Sequence, residues 1–359
     1  MLAALLLSGC GSVIDAPYTS TGHPFDFRRP NCPAPPAALP AAAGVRYLGS
    51  GGVAITWQGA TLLAGPYLSH AGSVLRANFG RVHFNTARID AGLREIDLSS
   101  VRAIITGHSH FDHIGDVPDI VTRLTPEATV YTNATGVDML AAYPRIRTHV
   151  VDPGEGWVRI ANSRIRLRAV AWDHAPQLCR ANHAPCTYAK CNGHGPWTTE
   201  WPAHRMKELC GGETFAYVID LLGERGDDDV RFRIYYNDSA ASDDVAAPRL
   251  EDGHAYDLAV ICMASYDFVR GYPEALLRAL QPRHVLISHY DDFFVRSTDS
   301  WRFVPLLTNR KANRFLQRIK NLAPPFGNAP GPPVTNVCGP STERWSMPVP
   351  GWPLYFAVP

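Results

Sequence analysis

The densest chemistry in the chain lies at Thr106-Gly107-His108-Ser109-His110-Phe111-Asp112-His113, where three histidines and one aspartate fall within six residues. Imidazole and carboxylate, with no thiolate among them, form a donor set that suits zinc and is also compatible with iron or manganese. If the run leaves a strand, His108 and His110 project to the same side, because strand side chains alternate, and they can grip one ion together. Asp112 and His113 then fall where the chain turns into a helix, and can point at a second ion close by. A loop that crowded these imidazoles together without a cation would have no evident stabilising partner.

The cluster therefore needs a strand before it and a helix after it, and the surrounding pattern supplies both. Short apolar runs at 45–48, 53–57, 61–64 and 101–106 read as strands, and helix-compatible stretches follow at 112–124 and 135–143. Further strands are predicted at 165–171, 215–222, 232–236, 259–262 and 285–288, with helices near 273–280 and 311–319. Blocks of strands separated by helices predict an α/β chain in which sheets pack on each other with helices outside.

Composition narrows the classes. The chain has 359 residues, enough for one large domain or two ordinary ones. Lys+Arg 34 against Asp+Glu 33 leaves a net charge of +1, without the positive excess that tracking a phosphate backbone requires, so nucleic acid is not an expected partner. Gly 29 and Pro 30, with only 19% charged residues, favour turns and long loops over a helical bundle. Beyond the first dozen residues no apolar run reaches the roughly 18 residues of a membrane span.

At the histidine cluster the sequence resembles the metallo-β-lactamase-fold hydrolases, and the resemblance covers about residues 45–320. It implies an αββα sandwich of two mixed β-sheets flanked by helices. The pattern continues in order with Trp172-Asp173-His174, Tyr235-Tyr236-Asn237-Asp238 and Leu286-Ile287-Ser288-His289, each after a predicted strand. By this resemblance His108, His110 and His174 hold one zinc ion, Asp112, His113 and His289 hold the other, and Asp238 bridges them. His149, His183 and His194 compete with His174 but do not directly follow the expected strand; His284, which precedes its strand, reads as exposed. Many relatives carry an acidic residue after the third strand, whereas Leu63-Ala64-Gly65-Pro66 has none; either Asp90 substitutes or metal affinity is lower.

The implied chemistry is hydrolysis: a water bridging two ions is acidified to hydroxide while the second ion polarises a carbonyl or phosphoryl oxygen. Asp112 is the candidate catalytic residue, orienting the water or shuttling its proton. Val45-Arg46-Tyr47-Leu48-Gly49 and His289-Tyr290-Asp291-Asp292-Phe293 are loosely similar to the branch of ascorbate-phosphate lactonases and the phospholipase D that cleaves N-acyl-phosphatidylethanolamines. The expected substrate is thus a small-molecule or lipid-like phosphodiester, lactone or other ester. The alternatives are a β-lactam hydrolase and a non-catalytic metal-binding envelope protein.

Residues 1–9 read as a signal peptide, and Leu7-Ser8-Gly9-Cys10 resembles a bacterial lipobox. That resemblance implies lipidation of Cys10 and export to the periplasm or outer membrane, anchored by lipid. Residues 10–43 form a Pro/Ala-rich tether, 44–322 the hydrolase domain, and 323–359 a Pro/Gly-rich wrap in which Trp345, Trp352 and Phe356 pack on the body. The domain carries a Cys-rich insertion at 175–213. Cys179, Cys186, Cys191 and Cys210 are expected to form disulfides there, a structural zinc site with His183, His194 and His204 being the alternative. Tyr188, Trp197 and Trp201 serve the insertion's own core or contact substrate. Cys262 sits in an apolar strand as the odd thiol, and Cys32 and Cys338 remain to tie the termini.

Overall fold

The computed structural model describes residues 42–70, 72, 84–125, 127–175, 211–243, 247–248, 250, 252–294, 303–304, 307–322, 334–335 and 344–358. The signal peptide, Cys10, Cys32, Cys338 and all four cysteines, the three histidines and the aromatic residues singled out in the insertion lie outside the described residues.

The chain opens with β1 (Ala42–Gly49), β2 (Gly52–Trp57) and β3 (Ala60–Ala64), an antiparallel meander. Alternation divides each strand between two cores: Leu62 and Ala64 point to the interior shared by the sheets, while Leu63 points to a helix layer. After α1 (Thr86–Leu93) come β4 (Val101–Ile105), α2 (Phe111–Ile114), α3 (Val117–Val121), β5 (Thr129–Thr132), α4 (Ala134–Leu140) and β6 (Arg147–Val150). These strands join the meander in parallel, and α1 to α4 cover the outer face through Ile89, Phe111, Val117 and Met139.

The second sheet is built from β7 (Val158–Arg159), β8 (Ile165–Trp172), β9 (Thr214–Leu222), β10 (Val230–Tyr236), β11 (Leu258–Cys262) and, after α5 (Glu274–Leu280), β12 (His284–Ser288). The following helix, α6 (Asn309–Lys320), buries Ala312, Phe315, Leu316 and Ile319, the i, i+3, i+4, i+7 stripe of an amphipathic helix, and Thr308 caps it by accepting from Lys311 N at 3.3 Å. The last strands, β13 (Val334–Thr335), β14 (Trp345–Ser346) and β15 (Pro353–Ala357), complete sheets of eight and seven strands, both mixed. The architecture is the expected αββα sandwich.

Three local expectations differ. The helix predicted over 112–124 is broken into α2 and α3, because Pro118 has no N–H to continue a helical ladder. Asp116, between them, turns its buried carboxylate to accept from Leu68 N at 2.5 Å and Ser69 N at 2.8 Å. The C-terminal tail does more than wrap: β15 pairs with β1 and β14 with β12, so both sheets extend beyond residue 322. That tail also covers His284, which is buried with Nε2 3.1 Å from Ser346 Oγ, and not exposed. Cys262 is the only cysteine among the described residues, and it is free and buried.

Candidate metal centre

Strand direction gathers the distant site residues. β10, β11 and β12 run parallel, and β8 shares their direction because two antiparallel pairings separate it from β10. His174, Asp238 and His289, each just past the C-terminal end of one of these strands, therefore emerge at one edge of the second sheet. The loop after β4 brings His108 and His110 from the first sheet, and α2 supplies Asp112 and His113.

All seven residues meet there. His108, His110 and His174 form one group, with ring centroids 4.4 Å apart for His108–His110 and 4.6 Å for His108–His174. Asp112, His113 and His289 form a second, with Asp112 Oδ2 3.7 Å from His113 Nε2 and 3.4 Å from His289 Nε2. Asp238 touches one histidine of each group, its oxygens 3.0 Å from His108 Nδ1 and 3.7 Å from His113 Nδ1, and it also accepts from Gly107 N at 2.8 Å.

Electrostatics leaves these groups ready for a cation. Burial, and after it the neighbouring imidazoles, holds His108 and His110 well below the ordinary imidazole range; burial brings His113 down to about 3 and also lowers His174. Burial alone would raise Asp112, but His113 and His289 facing it prevail and hold its carboxyl below the usual range. Asp238 is pushed up by burial, against the pull of His113 and the Gly107 amide. Near neutral pH His108, His110, His113 and His174 are thus uncharged imidazoles, the form that binds metal.

The tautomers agree. His174 Nδ1 lies 2.6 Å from the Ala175 carbonyl, which can only accept, so Nε2 keeps its lone pair. His108 Nδ1 faces Asp238 in the same way, and His108 Nε2 is buried without a hydrogen-bond partner, as is His289 Nδ1. Buried nitrogens left without a partner carry a desolvation cost that a bound metal ion removes, so the residues fit bound metal.

Supporting contacts lie around the cluster. Asn133, the N-cap of α4, accepts from Ser109 Oγ at 2.6 Å and donates to the carbonyls of Gly211 and Glu213 at 2.7 and 2.6 Å. The chain thus leaves the cluster at Ala175 and returns against it at Gly211, where a Cβ would lie 2.8 Å from His110 Nε2. Asn133 went unnoticed in the sequence, although Thr132-Asn133-Ala134 at a strand-to-helix junction carries an N-cap signal. Asp90 does not substitute for the acidic residue absent after β3: it is exposed on α1 and paired with Arg123 at 2.8 Å. Gly65 explains the vacancy of that role, since a Cβ there would lie 3.2 Å from His113 Nδ1 and 2.7 Å from the Tyr236 hydroxyl, leaving no room for a longer side chain.

A second glycine yields a prediction. A Cβ on Gly107 would overlap both carboxylate oxygens of Asp238. Gly107→Ala is expected to push Asp238 off His108 and weaken metal binding about tenfold or more. Competition against a chromophoric chelator checks this, and unaltered affinity would show that the loop yields instead.

No family profile matches the sequence, and no curated protein matches it. Among solved structures, the chain is similar to Igni18, a metallo hydrolase from the archaeon Ignicoccus hospitalis, at 13% identity and a TM-score of 0.49, covering 88% of this chain and 98% of that one. It is also similar to a possible metal-dependent hydrolase from Veillonella parvula, at 10% identity and a TM-score of 0.47, covering 87% and 99%. The metallo-β-lactamase-fold protein YhfI from Bacillus subtilis matches at 11% identity and a TM-score of 0.38, covering 69% and 86%. The αββα sandwich, with seven His and Asp side chains gathered at its strand ends, is the architecture that the resemblance in the sequence implied.

Proposed function

We propose that this chain is a metal-dependent hydrolase whose centre takes two ions, zinc being the ion its donors suit best and iron or manganese compatible. One observation carries the reading: two ligand groups, each drawing residues from both sheets, meet at one edge of the sandwich, with buried imidazole nitrogens that have no hydrogen-bond partner. His108, His110 and His174 would hold one ion, Asp112, His113 and His289 the other, with Asp238 between the groups. When bound, the ions supply Lewis acidity that acidifies a water and polarises the scissile group. The chain's part is to hold these donors in place and, by burial, to keep the imidazoles of His108, His110, His113 and His174 neutral. Asp112, whose carboxylate faces His113 and His289, would orient the attacking water and take its proton.

The substrate class is a phosphodiester, lactone or other ester, lipid-like in character. Supporting it are the sequence likenesses at residues 45–49 and 289–293, and the lipobox-like Leu7-Ser8-Gly9-Cys10, which, if lipidated at Cys10, would hold the enzyme on a periplasmic or outer-membrane surface. Turnover of bis(p-nitrophenyl) phosphate, a p-nitrophenyl ester, a lactone and nitrocefin by the purified chain, alongside elemental analysis, tests it. We expect two ions per chain and phosphodiester or ester turnover that is lost on chelation and restored by metal. At most one ion under metal-replete conditions, or full metal content with no turnover across the panel, would overturn the reading. Turnover of nitrocefin alone would make the protein a β-lactam hydrolase.

A further inference from the structure

Behind the second ligand group lies a buried array that the metal motif does not include. Asp291 is fully buried and receives a hydrogen bond from the Tyr47 hydroxyl, while Ser50 N lies 3.2 Å from each of its oxygens. Both donors reach onward to the site. The Tyr47 oxygen accepts from His289 N at 2.9 Å, and Ser50 Oγ donates to the Asp112 carbonyl at 3.1 Å and lies 3.4 Å from Asp112 Oδ2. The backbone is shaped to allow this: Gly49, Ser50 and Gly51 all have positive φ, at 100°, 50° and 79°, which curls their turn around the Asp291 carboxylate. His289 itself has φ 54°, a left-handed conformation that a non-glycine residue holds only where its surroundings impose it. The amide hydrogen bond to Tyr47 is one such constraint, and the ring packs on Gly51, where a Cβ would come within 3.2 Å of it.

The array is one-sided. Its contacts fall on Asp112 and His289, both of the second group, whereas His108, His110 and His174 are supported by Asp238, Asn133 by way of Ser109, and the Ala175 carbonyl. We propose that Tyr47, Asp291 and Ser50 are positioning residues that set His289 and Asp112 for the second ion alone. This rests on the two-ion reading above and adds that, beyond the Asp238 they share, the two sites depend on different supports. Outer partners of metal ligands typically govern affinity by about 10–100-fold.

The experiment is stepwise titration of metal-free wild type, Tyr47→Phe, Ser50→Ala and Asp291→Asn with zinc against a competing chelator, together with cobalt(II) absorption spectra and melting of the metal-free proteins. Tyr47→Phe keeps the ring in the core and removes only the oxygen, so it remains informative even if Asp291→Asn fails to fold. The expected result is a second-ion affinity about 10–100-fold weaker in Tyr47→Phe and Ser50→Ala, with first-ion affinity and metal-free melting near wild type. The cobalt spectrum of the singly loaded variants should match that of singly loaded wild type. Wild-type affinity for both ions in the variants, or equal weakening at both sites, would overturn the inference while leaving the two-ion centre standing. A wild-type protein that takes fewer than two ions would overturn the centre itself.

Discussion

His110→Ala is expected to lower turnover on the best substrate at least about a thousandfold, equivalent to about 4 kcal/mol of transition-state stabilisation, and to halve the metal content. The metal-free protein should melt within a few degrees of wild type. His110 occupies the N-cap position of α2 but its side chain makes no capping hydrogen bond, so the helix does not depend on it. Its ring faces His108 and His174, 4.4 and 4.8 Å away, at the loop end of the sandwich, whereas the apolar core lies between the sheets and under the helices. Chemistry should therefore suffer far more than folding. Asp238→Ala provides the contrast, because Asp238 contacts a histidine of each group and its loss should empty both. Circular dichroism, elemental analysis and turnover, measured together, decide the matter: a folded His110→Ala protein with near-wild-type turnover would remove His110 from the centre.

Asp220→Ala should produce the largest loss of stability, about 3–5 kcal/mol, without touching the metal centre. Asp220 is fully buried on β9 and accepts from Arg166 Nε and Nη2 at 3.0 and 2.8 Å, and from Arg233 Nε and Nη2 at 2.6 and 2.9 Å. Arg233 is itself fully buried, and its other arm reaches Asp252 at 2.7–2.8 Å, with Trp157 lying over the Arg166 guanidinium at 4.2 Å. Removing the shared carboxylate leaves two cations side by side with only exposed acidic partners, Asp252 on Arg233 at 2.7 Å and Asp227 3.8 Å from Arg166. The network sits at the far end of β8 from His174, roughly 25 Å along the strand, so metal affinity of the folded fraction should not change. Urea unfolding measures the loss. A change below about 1 kcal/mol would mean that Asp252, Asp227 and solvent satisfy both arginines.

The elements that could be read from the sequence are those whose reasons are local. Apolar runs such as Ala60–Ala64 and Leu258–Cys262 are strands because their residues are buried on both faces, and the periodic stripe of α6 announces itself the same way. The short strands β6, β7, β13 and β14 carry no such run, and the apolar Pro353–Ala357 of β15 stands in a Pro/Gly-rich tail. Arg147–Val150, largely exposed, becomes a strand because β5 offers it a pairing edge, and Pro353–Ala357 because β1 does. Within the site, the spacing of His108, His110, Asp112 and His113 was enough to propose a metal cluster, since neighbours in sequence are neighbours in space, and the resemblance supplied the order of the remaining three.

What the sequence determined by itself was the chemistry: imidazoles and carboxylates packed where a strand ends, on a chain whose apolar pattern requires sheets and helices in layers. Only the tertiary structure decided which residues support that chemistry. Tyr47 and Asp291 are 244 residues apart, yet they share one buried hydrogen bond behind His289. His284 is buried by a tail more than 60 residues later, and Asp90 is drawn to Arg123 at the surface. None of these follows from periodicity or motif, because a contact between distant residues depends on how two sheets and their edge strands pack, and that packing is a property of the whole chain.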